Sequence, residues 1–203
     1  GNFEWEKFPE RQPKLNTPDP SYAGAVWTEA VKPLGPIAYI LKARVTLLRD
    51  MGAAMSPFNA FMFLTGMETL PLRMREHSKN AVKVTDFLKN HKKVEKVIYP
   101  TEVAVERAEK YLSGGNGGLM GFEIAGGRDA GKKFINSLEL FYHVANIGDS
   151  KSLAIHPAST THSQLSEDEL SDAGVTPGFV RLSIGLEHID DIIADIEQAL
   201  DKA

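Results

Sequence analysis

The alternation of short β-type runs with amphipathic helical segments after His91 is the feature that most constrains how this chain can fold. Strands alternate their side chains with a period of two, whereas a helix repeats its apolar face every three to four residues. Runs of the first kind predict five strands: Val94–Tyr99, Gly118–Ile124, Phe141–Asn146, Ser152–Ile155 and Phe179–Ile184. Runs of the second kind predict four helices: Glu102–Leu112, Arg128–Leu138, Glu167–Ala173 and His188–Leu200. Residues 91–203 are therefore predicted to form one α/β or α+β unit.

Proline is concentrated in the first 36 residues, which hold six of the eleven prolines of the 203-residue chain. Because proline removes a backbone donor and disrupts regular structure, this stretch is predicted to be an extended arm with little core of its own. Aromatic residues are interspersed in it: Phe3, Trp5, Phe8, Tyr22 and Trp27. Disordered tails are usually poor in aromatics, so the arm either docks on a part of the protein outside this chain or packs on its own domain.

Residues 37–90 carry a helical pattern. Ser56-Pro57 marks a helix start, with serine as the N-cap and proline at the first helical position. The helix is predicted to continue to about Asn90 with a bend near Pro71. Its first half is apolar nearly all round, which indicates burial between two layers.

Composition excludes several classes of function. The chain has no cysteine, so disulfides, thiolate metal sites and cysteine nucleophiles are ruled out. A net charge of −4 without a basic cluster argues against nucleic acid or an anionic membrane as a partner. No apolar run approaches the ~18 residues of a membrane helix, and no signal-peptide pattern is present. A cytoplasmic location is expected, although secreted proteins can also lack cysteine.

Two glycine-rich segments imitate nucleotide-binding loops. Residues 126–133 (GGRDAGKK) nearly match the phosphate-binding loop, but Lys133 occupies the position where serine or threonine must hold Mg²⁺. Residues 114–118 (GGNGG) precede a predicted strand, whereas a dinucleotide loop leads into a helix. Ordinary glycine-rich connections explain both segments better, and a nucleotide site is the weaker alternative.

Residues 156–162 (HPASTTH) combine two histidines with three hydroxyl side chains. His156 and His162 stand six residues apart with no carboxylate between them, which is not a recognised zinc spacing. The hydroxyls point toward a Ser–His hydrolase, but the chain has no G-x-S-x-G elbow. A hydrogen-bonded turn is the better interpretation, and no metal site is predicted.

Arg181 is the site residue that the pattern itself singles out. In the run Phe179–Ile184, alternation puts Arg181 on one face with Phe179 and Ser183 and the aliphatic side chains on the other. A lone arginine in a largely apolar strand can offer its fork to a carboxylate or a phosphate. The competing interpretation is an arginine on a solvated sheet face, which the pattern alone slightly favours.

Three segments, taken in their order and spacing, resemble the C-terminal signature of the Cys/Met-metabolism enzymes that depend on pyridoxal phosphate (PLP). They are Asn146–Leu153 (NIGDSKSL), His156–His162 (HPASTTH) and Val180–Glu187 (VRLSIGLE). Four further segments of the sequence resemble the sulfhydrylase branch of that family: Gly1-Asn2-Phe3 with Trp5, Pro18–Tyr22, Leu48–Ala60 and Arg75–Ser78. The long proline-rich arm fits the same branch, and the resemblance extends over almost the whole chain.

The resemblance implies the C-terminal portion of a fold-type-I PLP-dependent transferase, in which a small α+β domain carries a mainly antiparallel sheet with helices on one side. Residues 1–36 would be an arm from the end of the large domain. Residues 37–90 would form a helical connection, and residues 91–203 the small domain. The full-length enzyme would be a homo-oligomer, a dimer of dimers.

The chemistry implied by the resemblance is a PLP-dependent γ-replacement, in which sulfide or a thiol displaces the acetate of O-acetylhomoserine to give homocysteine or methionine. The family holds its cofactor on a lysine in a Ser-x-Thr-Lys motif, and no lysine here follows a threonine. No catalytic residue is therefore assigned in this chain, which alone is expected to be inactive and to hold no covalently bound PLP.

The resemblance also assigns three residues to the site. Arg181 would bind the substrate carboxylate, Asn146 would lie near that carboxylate, and Thr161 would lie in the cofactor region. Two alternatives stay open. The chain could come from another family member, such as cystathionine γ-synthase, methionine γ-lyase or O-succinylhomoserine sulfhydrylase, or it could be a non-catalytic binding or regulatory domain.

Overall fold

The computed structural model describes residues 2–203, apart from the side chain of Glu167. Gly1, the first residue of the Gly1-Asn2-Phe3 match, lies outside the described residues. The chain forms two compact units, one reaching to Leu64 and the other running from Thr65 to Ala203. The division of the whole protein at residues 36 and 90 stays a prediction. No helix among the described residues is both long enough and apolar enough to cross a membrane.

The first unit is built from short helices. These are α1 (Pro13–Asn16), α2 (Trp27–Ala30), α3 (Ala38–Lys42), a π-helical stretch (Ala43–Leu48) and α4 (Arg49–Met51), with 3₁₀ turns at Trp5–Lys7, Pro20–Tyr22 and Lys32–Leu34. Leu15, Trp27, Val31 and Ala38 form a small core. The predicted extended conformation is therefore wrong. The reason is that Pro13 and Pro20 each stand at the start of a helical turn, where proline is well tolerated, while aromatic rings supply apolar surface to bury.

Helices α5 (Pro57–Glu68) and α6 (Leu70–Lys89) follow. The Ser56 Oγ accepts a hydrogen bond from the Asn59 N–H at 3.1 Å, which confirms the predicted helix start. The chain breaks from one helix to the next at Thr69, close to Pro71, as predicted. The large apolar side chains of its first half are exposed in this chain: Phe58, Phe61, Met62, Phe63, Leu64 and Met67. Their burial between two layers stays a prediction for the whole protein.

A five-stranded sheet forms the centre of the second unit, in the order β1-β2-β5-β4-β3. The strands are β1 (Val94–Ile98), β2 (Leu119–Ile124), β3 (Tyr142–His143), β4 (Leu153–Ile155) and β5 (Phe179–Ser183). All neighbouring pairs are antiparallel except β3 with β4. The predicted strands and the mainly antiparallel sheet are confirmed. The third strand is shorter than predicted, so Asn146 lies in the loop that follows it.

Helices cover one face of this sheet. They are α6, α9 (Gly127–Ser137) and α11 (Ile189–Lys202), whose apolar side chains share one core with the sheet. The rings of Phe122 in β2 and Phe134 in α9 meet edge to face with centroids 5.3 Å apart, a favourable aromatic geometry. The remaining helices are α7 (Pro100–Val103), α8 (Val105–Tyr111) and α10 (Glu167–Asp172). The predicted single helix 102–112 is wrong, because the backbone at Ala104 leaves helical geometry between α7 and α8.

Candidate active site

Strand β5 presents two different faces. Val180 and Leu182 are fully buried under the helices, whereas Arg181 and Phe179 are only partly buried. This confirms the period-two alternation predicted for the strand. Arg181 therefore lies on the face of the sheet opposite the main core, which is where a ligand can reach it.

A mostly apolar pocket of about 580 Å³ opens on the face that carries Arg181. Leu119, Gly121 and Phe179 line it from the sheet, and Val103, Arg107 and Tyr111 line it from α7 and α8. Gly121 is paired with Arg181 across the β2–β5 ladder. A Cβ atom at Gly121 would come within 2.4 Å of the Phe179 ring, so the glycine makes room for this ring beside the arginine. The result is an apolar wall next to a guanidinium group.

The structure brings Arg181 and Asn146 together. The Nη2 of Arg181 donates a hydrogen bond to the main-chain carbonyl of Asn146 at 3.3 Å. Asn146 is exposed in the loop 144–152 between β3 and β4. Among the side chains that the structure describes, no carboxylate forms an ion pair with Arg181. The guanidinium therefore keeps donors that an anionic ligand can use.

Thr161 is not joined to this pair. Its Oγ1 lies 2.8 Å from the Nδ1 of the adjacent His162, and the residue is exposed. No hydrogen bond in the described part of the chain connects Thr161 to Arg181 or Asn146. The place of Thr161 in a cofactor region stays a prediction.

Hydrogen bonds from buried side chains anchor the loop 144–152, and sequence reasoning did not identify them. The Gly148 N–H donates to the Ser183 Oγ at 2.9 Å. The Ser152 N–H and hydroxyl donate to the Glu187 carboxylate at 2.7 and 2.9 Å. The only available signal was that Ser183 shares the face of Arg181, since contacts between distant polar residues have no periodic pattern.

A family model for the Cys/Met metabolism PLP-dependent enzymes matches residues 21–201. The chain belongs to this family. The O-acetyl-L-homoserine sulfhydrylase of Leptospira meyeri is 55% identical over 98% of the chain and 46% of its own length. The homocysteine synthase of Schizosaccharomyces pombe is 45% identical over 100% of the chain and 47% of its own length. The chain thus spans about half the length of the curated relatives it matches.

A solved structure of a Campylobacter jejuni protein, described as an O-acetylhomoserine (thiol)-lyase, matches with a TM-score of 0.82 at 44% identity. The match covers 95% of this chain and 45% of that one. The solved structure contains N′-pyridoxyl-lysine-5′-monophosphate, which is the cofactor joined to a lysine. The family and the fold class predicted from the sequence are confirmed.

Neither Lys151 nor Lys79 stands in a Ser-x-Thr-Lys motif, because each follows a serine. The Lys151 Nζ donates to the Tyr142 hydroxyl at 3.2 Å and lies 4.6 Å from the centre of that ring, on an exposed part of the chain. Lys79 pairs with Glu76 at 3.1 Å, also on the surface. A lysine that holds a cofactor is activated by an apolar pocket or by a neighbouring cation. Neither Lys151 nor Lys79 lies in surroundings of that kind.

His156 is held in a hydrogen-bonded turn, as the sequence favoured. Its Nε2 lies 2.7 Å from the Pro177 carbonyl, and its Nδ1 lies 2.8 Å from the Ser159 hydroxyl. A carbonyl oxygen only accepts, so Nε2 carries the proton and Nδ1 accepts from the serine. Both ring nitrogens are engaged, and no group of three ligating side chains in the described part of the chain could hold a metal ion.

Lower pH is expected to destabilise the fold through His156. Burial lowers the pKa of this imidazole below its ordinary 6.5; the Pro177 carbonyl opposes the shift and nearby cations add to it. The unfolded chain therefore takes up a proton at a higher pH than the folded chain, so the free energy of unfolding falls as the pH drops below about 6.5. The free energy of unfolding is measured in urea at about pH 7.5 and about pH 5.5. Between these two pH values it should fall by more in the wild type than in His156→Gln. Equal losses in both proteins would contradict this assignment.

The glycines of the two nucleotide-like segments have packing roles. Gly126 has a φ of +96° in the turn from β2 to α9, a conformation that favours glycine. A Cβ atom at Gly131 would come within 2.5 Å of the His156 ring, and one at Gly115 within 2.6 Å of the Ser78 hydroxyl. The close approach of other residues thus accounts for these glycines without a bound nucleotide.

Proposed function

We propose that the full-length protein is an O-acetylhomoserine sulfhydrylase. It replaces the acetate of O-acetylhomoserine with sulfide, or with a thiol, and releases homocysteine or methionine. Relatives with the names O-acetyl-L-homoserine sulfhydrylase and homocysteine synthase align with nearly all of this chain. The observation that carries the proposal is the partly buried Arg181, which has no carboxylate partner among the described side chains and lies beside an apolar pocket.

In this proposal Arg181 binds the α-carboxylate of the substrate. A guanidinium can grip a carboxylate through two parallel hydrogen bonds, which a lysine cannot reproduce. The Asn146 carbonyl accepts from Nη2 and so restricts where the fork can point. The side chain of Asn146 lies on the same exposed loop and stands near the carboxylate. The apolar wall that includes Phe179 suits the hydrocarbon part of an amino-acid substrate.

The lysine that holds PLP lies outside this chain in our proposal. The chain supplies the substrate side of the site, and it is inactive alone. In the whole protein, residues 1–36 come from the end of the large domain, residues 37–90 connect the domains, and residues 91–203 are the small domain. Thr161 lies in the cofactor region.

The same proposal includes a cytoplasmic homotetramer arranged as a dimer of dimers. The exposed apolar side chains of α5 support an assembled form, because contiguous apolar surface beyond a few hundred Å² is a usual mark of an interface. The partner in the reaction is a small-molecule substrate.

A substrate comparison with the full-length enzyme tests the proposed reaction. Sulfide is supplied with O-acetylhomoserine or with O-succinylhomoserine, and homocysteine is measured by chromatography. We expect the higher kcat/KM with the acetyl ester. A higher value with the succinyl ester, or preferential breakdown of methionine to methanethiol, would assign the protein to another branch of the family. A protein that binds PLP but turns over none of these substrates would indicate a non-catalytic role.

A further inference from the structure

We infer that Ser183 is a positioning residue for Arg181: its hydroxyl fixes the middle of the loop 144–152, and this loop then holds the guanidinium through the Asn146 carbonyl. The inference rests on the carboxylate role proposed for Arg181. In this inference Ser183 does not contact the substrate, but it affects the affinity for the substrate carboxylate through Arg181.

Two hydrogen bonds join β5 to the loop 144–152, and the bonded residues are two positions apart in both segments. Arg181 and Ser183 are two residues apart, so they lie on the same face of β5. Their partners in the loop, Asn146 and Gly148, are also two residues apart. The Arg181 Nη2 donates to the Asn146 carbonyl at 3.3 Å, and the Ser183 Oγ accepts from the Gly148 N–H at 2.9 Å. The loop segment 146–148 therefore runs beside the strand and is fastened at one point by each side chain.

Ser183 is buried, whereas the loop it holds is exposed. The serine is only 3% exposed, while Ile147 is 53% exposed. A buried hydroxyl destabilises the fold unless it is hydrogen-bonded, so a small apolar residue would serve packing equally well at this position. The hydroxyl is used here to hold the exposed middle of the loop, whereas Ser150 is held separately by the Leu186 N–H at 2.8 Å. Gly148 has a φ of +75°, a conformation that favours glycine.

The end of the loop is fastened independently of Ser183. Ser152 is fully buried, and its N–H and hydroxyl both donate to Glu187. The Ser152 Oγ also accepts from the Gly185 N–H at 2.9 Å. Loss of the Ser183 hydroxyl should therefore free the middle of the loop, next to Asn146, and leave its end in place.

The expected effect of Ser183→Ala is a weaker grip on the α-carboxylate. An ordinary neutral hydrogen bond corresponds to a change of about three- to tenfold in a binding constant. The affinity of an amino acid should fall by about this factor, and the affinity of its amide should not. A purely structural serine would lower both affinities together.

Binding measurements with the full-length holoenzyme test the inference without depending on turnover. The two probes are L-norleucine, which has a carboxylate but no γ leaving group, and its amide, L-norleucinamide. Calorimetry gives the Kd of each, and the readout is the Kd of the amide divided by the Kd of the amino acid. We expect Arg181→Ala to bring this ratio close to one and Ser183→Ala to reduce it about three- to tenfold. Ser183→Ala in the Arg181→Ala background should cause no further reduction, since the two act as one unit. Ser150→Ala, which removes an exposed hydroxyl from the same loop, should leave the ratio unchanged.

Hydrogen exchange supplies the second measurement. Ser183→Ala should speed exchange in residues 144–149 and leave β5 and α11 unchanged. The inference is overturned if Ser183→Ala keeps the wild-type Kd ratio. It is also overturned if adding Ser183→Ala to Arg181→Ala lowers the Kd ratio by the same factor again, or if exchange rises throughout β5 and α11. If instead Arg181→Ala keeps the wild-type ratio, then the proposed carboxylate site is itself wrong, and that result is distinguishable from the others.

Discussion

Replacing Arg181 with alanine in the full-length protein is expected to lower kcat/KM for O-acetylhomoserine by roughly 30-fold to several thousand-fold. The loss of a hydrogen-bonded charge pair between enzyme and ligand raises the free energy of the complex by about 2–5 kcal/mol, and each 1.36 kcal/mol is about a tenfold change in rate. The guanidinium has a carbonyl but no carboxylate as a partner among the described side chains. In the proposed complex the substrate carboxylate is its charge partner. The measurement is steady-state production of homocysteine at varied O-acetylhomoserine.

Two further variants test whether Arg181 binds the carboxylate specifically or only contributes positive charge. Arg181→Lys keeps the charge but not the planar fork, so it should recover only part of the lost activity. Arg107 is an exposed arginine on the α8 side of the same pocket, and Arg107→Ala should have a much smaller effect. Near-normal kcat/KM in both Arg181 variants would mean that Arg181 is an ordinary surface arginine.

Replacing Asp195 with alanine is expected to reduce the free energy of unfolding by about 3 kcal/mol or more. Asp195 lies in α11 and is only 6% exposed. Its carboxylate accepts from the main-chain N–H groups of Glu139, Leu140 and Phe141 at 2.8, 2.9 and 3.2 Å. The variant would leave these three donors without their acceptor. Hydrogen bonds to a charged group are stronger than neutral ones, and a buried donor left unpaired is destabilising.

Urea unfolding followed by circular dichroism measures this effect in the full-length protein. Asp195→Asn keeps one side-chain oxygen and should lose less stability than Asp195→Ala. Glu197 is an exposed acidic residue in the same helix, so Glu197→Ala is the matched control and should change stability by only a few tenths of a kcal/mol. A loss in Asp195→Ala no larger than that of the control would show that the three hydrogen bonds do not stabilise the fold.

Much of the second unit was predictable because its elements each bury one face. Helix α11 carries an isoleucine stripe, and residues 179–182 of β5 alternate between partly buried and buried, because one side of each element packs on the core. The surroundings of an element are harder to predict than its secondary structure. The α5 helix is apolar all round, and its large side chains are exposed in this chain. An apolar sequence indicates that a surface becomes buried, but it does not indicate which part of the protein buries it.

The candidate site was predictable only in part. Arg181 stands out since a charge interrupts an apolar strand, and the family motif adds the expected ligand. Asn146 meets Arg181 through its main-chain carbonyl, a group that every residue has, so this contact leaves no mark on the sequence. The anchor between Ser183 and Gly148 joins residues 35 positions apart. The bond from the His77 ring to the Ile184 carbonyl spans 107 positions. Neither pair follows from local pattern.

Mapping of the cofactor's attachment point tests most directly the claim that this chain supplies the substrate side of the site and not the cofactor lysine. The full-length protein is loaded with PLP, reduced with borohydride and digested, and the labelled peptide is identified by mass spectrometry. We predict one stoichiometric label on a lysine outside the 203 residues described here, with only scattered, substoichiometric labelling within them. A stoichiometric label on Lys151, Lys79 or any other lysine of this chain would contradict the account.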